Sequence, residues 1–328
     1  MYTKYYKIFL LLFSLSYSFT SCENKEYSVP EANTEFKNDG IKRTIGPNLV
    51  GRDMEFAYAM ALGCNRGSIV SAEVEASIAG ATGTFLEHRS FHTDNGGNDV
   101  GVVIGEPSTT TSNTTKVRFT VDTCAATLRY YYIIPEEARG ESVNFTFSST
   151  ASTGETISYQ MGPYHIAKMD IKRDIVLSED DKCFFSIADM EAYDEAEALT
   201  KADMIDLVYL FRSIPSISFN HALVSPDADP EFLQGKTVPS SINNATLIQK
   251  VYGLQDRHLA GLQYGIYVDD PDFETLDISD APNYSINLRP EYGTWIQTKD
   301  NRYRAYIYVN NVDSEAGTMT ISVKRYKM

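Results

Sequence analysis

KVRFTVDTCAATLRYYYIIPEEARGESVNFTFSS (residues 116–149) holds three short runs of β-branched and aromatic residues, broken by the turn around Cys124 and by the connector PEEARGE. Its middle run, TLRYYYII (127–134), alternates Leu128, Tyr130, Tyr132 and Ile134 with Arg129, Tyr131 and Ile133. That period of two belongs to a strand with one face buried. Three tyrosines in such a strand are core filling, with hydroxyls reaching toward the rim.

The same pattern extends upstream through MEFAYAMAL (54–62), SIVSAEVEASI (68–78), TFLEHRSF (84–91) and DVGVVI (99–104). GCNRG, AGATG, HTDNGGN and EPSTTTSNTT separate these runs, and all four are rich in Gly, Asn, Pro or Thr. Seven short strands with no helical period among them predict an immunoglobulin-like β-sandwich over residues 51–168. GPYHIAKMDIKR (162–173) reads as its exit strand. If the seven strands are lettered A to G, Cys64 lies in the A–B turn and Cys124 in the E–F turn, at one end of the sandwich. A Cys64–Cys124 disulfide and a pair of half-buried thiols both fit that placement, and Cys183 is then a buried thiol.

Residues 169–328 mix their signals and predict an α+β domain, with an antiparallel sheet and one or two helices. EAYDEAEALTKAD (191–203) is rich in helix formers, and IDLVYLF (205–211) suits a strand buried on both faces. Residues 213–243 look like loop. In ATLIQKVYGLQDRHLAGL (245–262) the apolar residues fall at helical intervals, with Asn243 or Asn244 as N-cap. QYGIYV, YSINLR, GTWIQT and RYRAYIYVNNV follow as strands, and MTISVKRYK closes the chain.

The N-terminus carries a different message. Lys4 and Lys7 precede IFLLLFSLSYSF (8–19), an apolar run of a dozen residues. A membrane-spanning helix needs roughly 20, so residues 1–21 fit a cleaved secretory signal. Thr20, Ser21 and Cys22 follow, which resembles a bacterial lipobox, where the new N-terminal cysteine carries the lipid. Cys22 is then the membrane attachment, and residues 22–50 form a lipidated tether. A chain starting at Cys22 has 307 residues, 27 basic and 44 acidic, for a net charge of −17. That charge argues against nucleic acid and anionic membrane surfaces as partners, since both are polyanions. Neutral polysaccharide and envelope proteins stay open.

FTSC, the run AYDEAEALTKADMIDLVYLF with the later ALVSPDAD, and the closing NRYRAYIYVNNVDSEAGTMTISVKR together resemble a group of uncharacterised Bacteroidetes cell-envelope lipoproteins. The resemblance implies a two-domain plan, an outer-membrane position, with surface exposure, and company with glycan-uptake machinery. None of its motifs is catalytic.

The strongest local pattern for a ligand surface is GTWIQTKDNRYRAYIYV (293–309). A turn at Asp300-Asn301 sets Gln297 against Arg304 and Trp295 against Tyr306. Trp295, Gln297, Arg304, Tyr306 and Tyr308 then share one face. Aromatic rings flanked by amide and guanidinium groups suit a sugar, whose C–H face stacks while its hydroxyls bond at the edges. The competing reading makes Trp295 and Tyr306 a cross-strand pair in a core. The acidic loops SPDADPE (225–231) and YVDDPDFETLD (267–277) lack calcium-loop spacing and read as solvated. His88 and His92 would stand about 13 Å apart on an extended strand, too far for one metal ion. No nucleophile elbow, zinc-protease motif or phosphate loop occurs, and no cofactor or catalytic residue is implied. The expectation is a lipid-anchored, non-catalytic glycan-binding accessory protein. A structural or adhesive subunit is the alternative, and a hydrolase built on two carboxylates across a cleft the second alternative.

Overall fold

Residues 34–328 are described by a computed structural model. The signal segment and Cys22 lie outside the described residues. The first half contains β1 (Lys37–Lys42), β2 (Asp53–Ala61), β3 (Ile69–Ala76), β4 (Phe85–Leu86), β5 (Arg89–Thr93), β6 (Asp99–Val103), β7 (Thr109–Thr111), β8 (Thr114–Arg118), β9 (Ala125–Ile133), β10 (Ser142–Ala151) and β11 (Thr156–His165). Two antiparallel sheets, β1-β2-β9-β4 and β11-β10-β3-β8-β7, face each other, and the β5–β6 hairpin forms a separate ribbon. The alternation in β9 holds: Leu128, Tyr130, Tyr132 and Ile134 are buried. Their partners come from both sheets, with Tyr132 5.0 Å edge-on to Phe145 and Phe56 4.8 Å from the same ring. Such ring pairs each add about 0.5–1.5 kcal/mol beyond the area they bury.

The sandwich begins earlier than the tether reading allowed. Lys37–Lys42 pairs antiparallel with β2, and Phe36 and Leu49 are buried, so the stretch from Phe36 to residue 50 is folded domain. Its polar sequence hid this because β1 is an edge strand, whose residues alternate between exposed and half-buried rather than between polar and apolar.

The second half contains β12 (Asp170–Ser178), β13 (Phe184–Ser186), β14 (Glu191–Tyr193), β15 (Leu207–Arg212), β16 (Asn220–Val224), β17 (Leu247–Tyr252), β18 (Tyr284–Leu288), β19 (Tyr292–Gln297), β20 (Tyr303–Asp313) and β21 (Thr318–Lys327). Its helices are short: α1 (Glu195–Thr200), α2 (Pro230–Leu233), α3 (Arg257–Ala260) and α4 (Asp270–Thr275). The expected antiparallel sheet, β12-β21-β20-β19-β17, is joined by a second, β14-β13-β15-β16-β18. The main core of this half takes Leu207, Val208, Ile307, Val309 and Ile321 from both sheets. Among the described residues no helix is long and apolar enough to cross a membrane.

Four local expectations change. Residues 245–262 are not one helix. Leu247–Tyr252 joins the sheet edge beside β19, Gly253 breaks the chain at φ 68°, and α3 follows separately. An open backbone ladder on β19 outweighs a helical apolar period. Within the supposed loop at 213–243, Asn220–Val224 is a strand, buried from His221 to Val224, and QYGIYV forms only one bridge, Asp256 with Ile266. The helix expected over 191–203 shortens to α1, because Glu191–Tyr193 pairs as β14 and Asp194 caps the helix with Glu197 as its reciprocal partner.

Candidate functional site

The register expected for the closing hairpin is present: Trp295 faces Tyr306, Gln297 faces Arg304, and Gly293 faces Tyr308. The sugar shelf it was to make is overturned, because that face is interior. Tyr306 and Tyr308 are 0% and 4% exposed. A third core covers them, with Leu259, Val268 and Phe273 from the α3–α4 segment and Leu49, Ala167 and Met169 from the junction between halves. Trp295 is half-buried, 5.4 Å edge-on to Phe273 and 4.7 Å from Tyr306. Arg304 donates to the Phe273 carbonyl and to Gln297 Oε1 (3.1 Å), while Tyr306 OH donates to the Leu254 carbonyl (2.6 Å). Gly293 is required there, since a Cβ would come 2.4 Å from the Tyr306 hydroxyl. All five residues are brought together, as a seat for α4 rather than for a ligand. The acidic loop nearby is also structural. Asp269 and Asp272 cap α4, and Asp270 accepts from the Lys168 (2.7 Å) and Met169 (3.3 Å) amides.

An open groove of about 750 Å³ lies on the outer face of the first sheet. Its floor is two rungs of the ladder. Lys37, Ala61 and Ala125 stand side by side across β1, β2 and β9, and Asp39, Ala59 and Thr127 form another rung two residues along. Ala59, Ala61 and Ala125 are exposed. Ser90 of the β5–β6 hairpin forms one wall and is held by the Thr127 amide, which donates to its Oγ (3.1 Å). Tyr159 of β11 forms the other wall, hydrogen-bonded to Asp39, whose charge raises the phenol pKa. At the groove's end Cys64 and Cys124 are joined by a disulfide (Cα–Cα 5.2 Å), and the Leu62 amide donates to the Cys124 carbonyl (2.7 Å). The cross-link fixes β2 against β9 where the alanine floor begins.

Alanine is depleted in strands, and a solvent-facing strand face normally carries polar residues. Buried Met54, Phe56, Tyr58 and Met60 alternate in β2 with outward Ala57, Ala59 and Ala61. The outward row therefore offers clearance and a flat apolar floor between polar walls.

A solved protein from Parabacteroides merdae ATCC 43184, described as a DUF4466 family protein, is 45% identical to this chain. The match covers 90% of this chain and 99% of that one, with a TM-score of 0.83. The chain belongs to the DUF4466 family. Residues 33–166 match the family described as Domain of unknown function (DUF4466), and residues 167–328 match Domain of unknown function (DUF8576). The change from one to the other falls between β11 and β12. The DUF4466 chain is also similar at 8% identity to a form of BcpA, the major pilin subunit of Bacillus cereus, with a TM-score of 0.29 over 87% of this chain and 63% of that one. No curated protein matches it. The groove of this DUF4466 protein was missed from sequence. The available signal was the outward alanine row in MEFAYAMAL, read there only as half of an alternation.

Proposed function

We propose that this protein is a lipid-anchored, non-catalytic glycan-binding accessory of the cell envelope. In this reading Cys22 carries the lipid and the groove on the first sheet takes a neutral polysaccharide segment. One observation carries it: an exposed alanine floor set between hydroxyl, carboxylate and phenol groups. A sugar is amphipathic in the same way, with C–H faces to lie on Ala59, Ala61 and Ala125 and hydroxyls to meet Asp39, Ser90, Thr127 and Tyr159. An extended peptide is a poorer match, since it gains affinity by adding to an open strand edge, and this floor is a sheet face. The net charge of −15 disfavours polyanionic glycans. Among the described residues Asp39 is the one carboxylate lining the groove, whereas glycoside hydrolysis uses a facing pair.

The test is binding of the chain from Cys22 to an array of neutral envelope and dietary polysaccharides, with Ala59→Trp and Ala125→Trp as blocked grooves. The expected result is retention of a glycan by the natural chain and its loss in both variants, with unchanged circular dichroism. No retained glycan, or equal retention by the blocked variants, overturns the reading. Labelling with radioactive palmitate, lost in Cys22→Ser, tests the anchor.

A further inference from the structure

A second cavity, of about 260 Å³, opens where the two halves of the chain meet. One wall is the segment leading into β2, including Asn48 and Arg52, and the other comes from β12 and α3. Three arginines line it, Arg52, Arg173 and Arg257, together with His258 and one carboxylate, Asp53. Arg52 and Arg173 are exposed, and Arg257 and His258 are half-buried.

Of the fourteen arginines, all among the described residues, six make no ion pair, and three of those six line this one cavity while Arg118, Arg289 and Arg304 stand elsewhere. Arg43, Arg66, Arg89, Arg129, Arg139, Arg212, Arg302 and Arg325 each stand within 4.0 Å of a carboxylate. With 44 acidic residues against 29 basic ones, a guanidinium readily finds a partner. Among the described residues Arg52, Arg173 and Arg257 make no ion pair within that distance, although they share one cavity. Arg257 Nε and His258 Nδ1 are buried with no hydrogen-bond partner. Leaving a buried donor unmatched costs about 1–3 kcal/mol.

The cluster is also held in place. The Arg257 guanidinium lies over the Tyr267 ring at 5.0 Å, and the His258 ring is 4.7 Å from it. Tyr267 presses on Gly46 of the first half, where φ is 87° and a Cβ would come 2.7 Å from the ring. Burial first, then the charge of Lys324, hold His258 down to a pKa of about 4, with smaller help from Arg52 and Arg257 and against an opposing pull from Asp256. The imidazole is therefore neutral at pH 7. Three guanidiniums and the Asp53 carboxylate then leave the cavity with two positive charges in excess. Guanidinium forks match the oxygens of phosphate, sulfate and carboxylate in geometry and charge.

We propose that this cleft is a binding site for a compact dianion, a phosphate, sulfate or short dicarboxylate group, which bridges the two halves through Arg52 on one side and Arg173 and Arg257 on the other. The volume falls just below the roughly 300 Å³ at which drug-sized pockets begin, so the ligand is the anion itself or an anion on a small body. The site is separate from the groove on the first sheet and does not depend on it.

The experiment is thermal denaturation and calorimetric titration of the folded chain with inorganic phosphate, sulfate and malonate, against sodium chloride at equal ionic strength. The expected result is a saturable rise in Tm with at least one of the three dianions and none with chloride. Arg52→Gln and Arg173→Gln change exposed side chains and keep the fold. Each loses one charge-assisted contact, so affinity falls about tenfold or more. Two-dimensional NMR of the His258 ring supplies a second readout, since a bound dianion raises its pKa in the natural chain and not in the double Gln variant. Ala59→Trp leaves all of this unchanged, which separates failure of this site from failure of the groove. A response equal to chloride, or one that survives Arg52→Gln/Arg173→Gln, overturns the proposal.

Discussion

Lys324 Nζ stands 2.6 Å from Asp256 Oδ2, with both side chains wholly buried. The ammonium also donates to the Val268 carbonyl (2.6 Å), and the carboxylate accepts from the Leu259 (3.0 Å) and Val268 (2.6 Å) amides. The pair therefore clips the 256–268 segment, with Arg257, His258 and Tyr267, onto β21. Lys324→Met leaves a buried carboxylate without its counter-charge and is expected to cost about 3–5 kcal/mol in urea unfolding. Adding Asp256→Asn removes the orphan charge and keeps an oxygen for one of the two backbone amides. The double variant should regain more than half of the loss, and if it falls below Lys324→Met, charge compensation is not what holds the segment.

The Cys64–Cys124 disulfide closes a sequence separation of 60 residues. In the chain-entropy account a loop of that size contributes about 4 kcal/mol by restricting the unfolded chain. Cys64→Ser/Cys124→Ser should lower the free energy of unfolding by about 2–4 kcal/mol and leave the second half's fluorescence spectrum unchanged. Cys183 is buried at 1% exposure and its thiol pKa is raised by burial, so alkylation of the native variant should wait on unfolding.

How much was legible follows the same physical line. Where one strand face is buried and the other wet, as in β9 and β10, alternation alone gave the strand and its facing residues. It gave the Trp295–Tyr306 pairing as well. What it could not give was which side of that pairing meets water, because both faces of β20 are buried, one by its own sandwich and the other by the α3–α4 segment. β1 and β17 were missed for another reason. Edge strands bury little, so their pattern is set by the neighbour that completes the ladder and not by their own composition. The arginine cleft brings position 52 to positions 173 and 257, and no local spacing reports a contact of that range.

Asp206 and His258 tilt stability with pH in opposite directions. Burial raises Asp206 from 3.8 to about 7, only partly offset by the Ile187 amide that donates to it (2.8 Å). Between those values the native state holds a proton the unfolded chain has released, so Asp206 destabilises progressively as pH rises through 7. His258 is depressed from 6.5 to about 4, so its contribution is lost as pH falls between those values. Asp206→Asn should raise Tm at pH 8 with the gain fading toward pH 4. His258→Gln should flatten the acid side and change little above pH 7. Tm profiles of the two variants from pH 4 to 8 read both slopes, and parallel profiles would rule out these two groups as their source.

The Trp295 face and the alanine groove predict opposite phenotypes, which separates structure from recognition. Trp295→Ala removes a half-buried indole from Phe273 and Tyr306. Full burial makes such a loss worth about 3–5 kcal/mol, so about 2–4 kcal/mol is expected here. The seat of α4 loosens, and glycan retention by the folded fraction stays as it was. Ala59→Trp does the reverse. Its side chain enters open groove rather than core, so stability should move by no more than about 0.5 kcal/mol while retention is lost. Urea unfolding and array binding on the same two preparations give four values. If Trp295→Ala abolishes binding at full stability, the covering of that face by α4 is not maintained in solution and the ligand surface belongs to the closing hairpin after all.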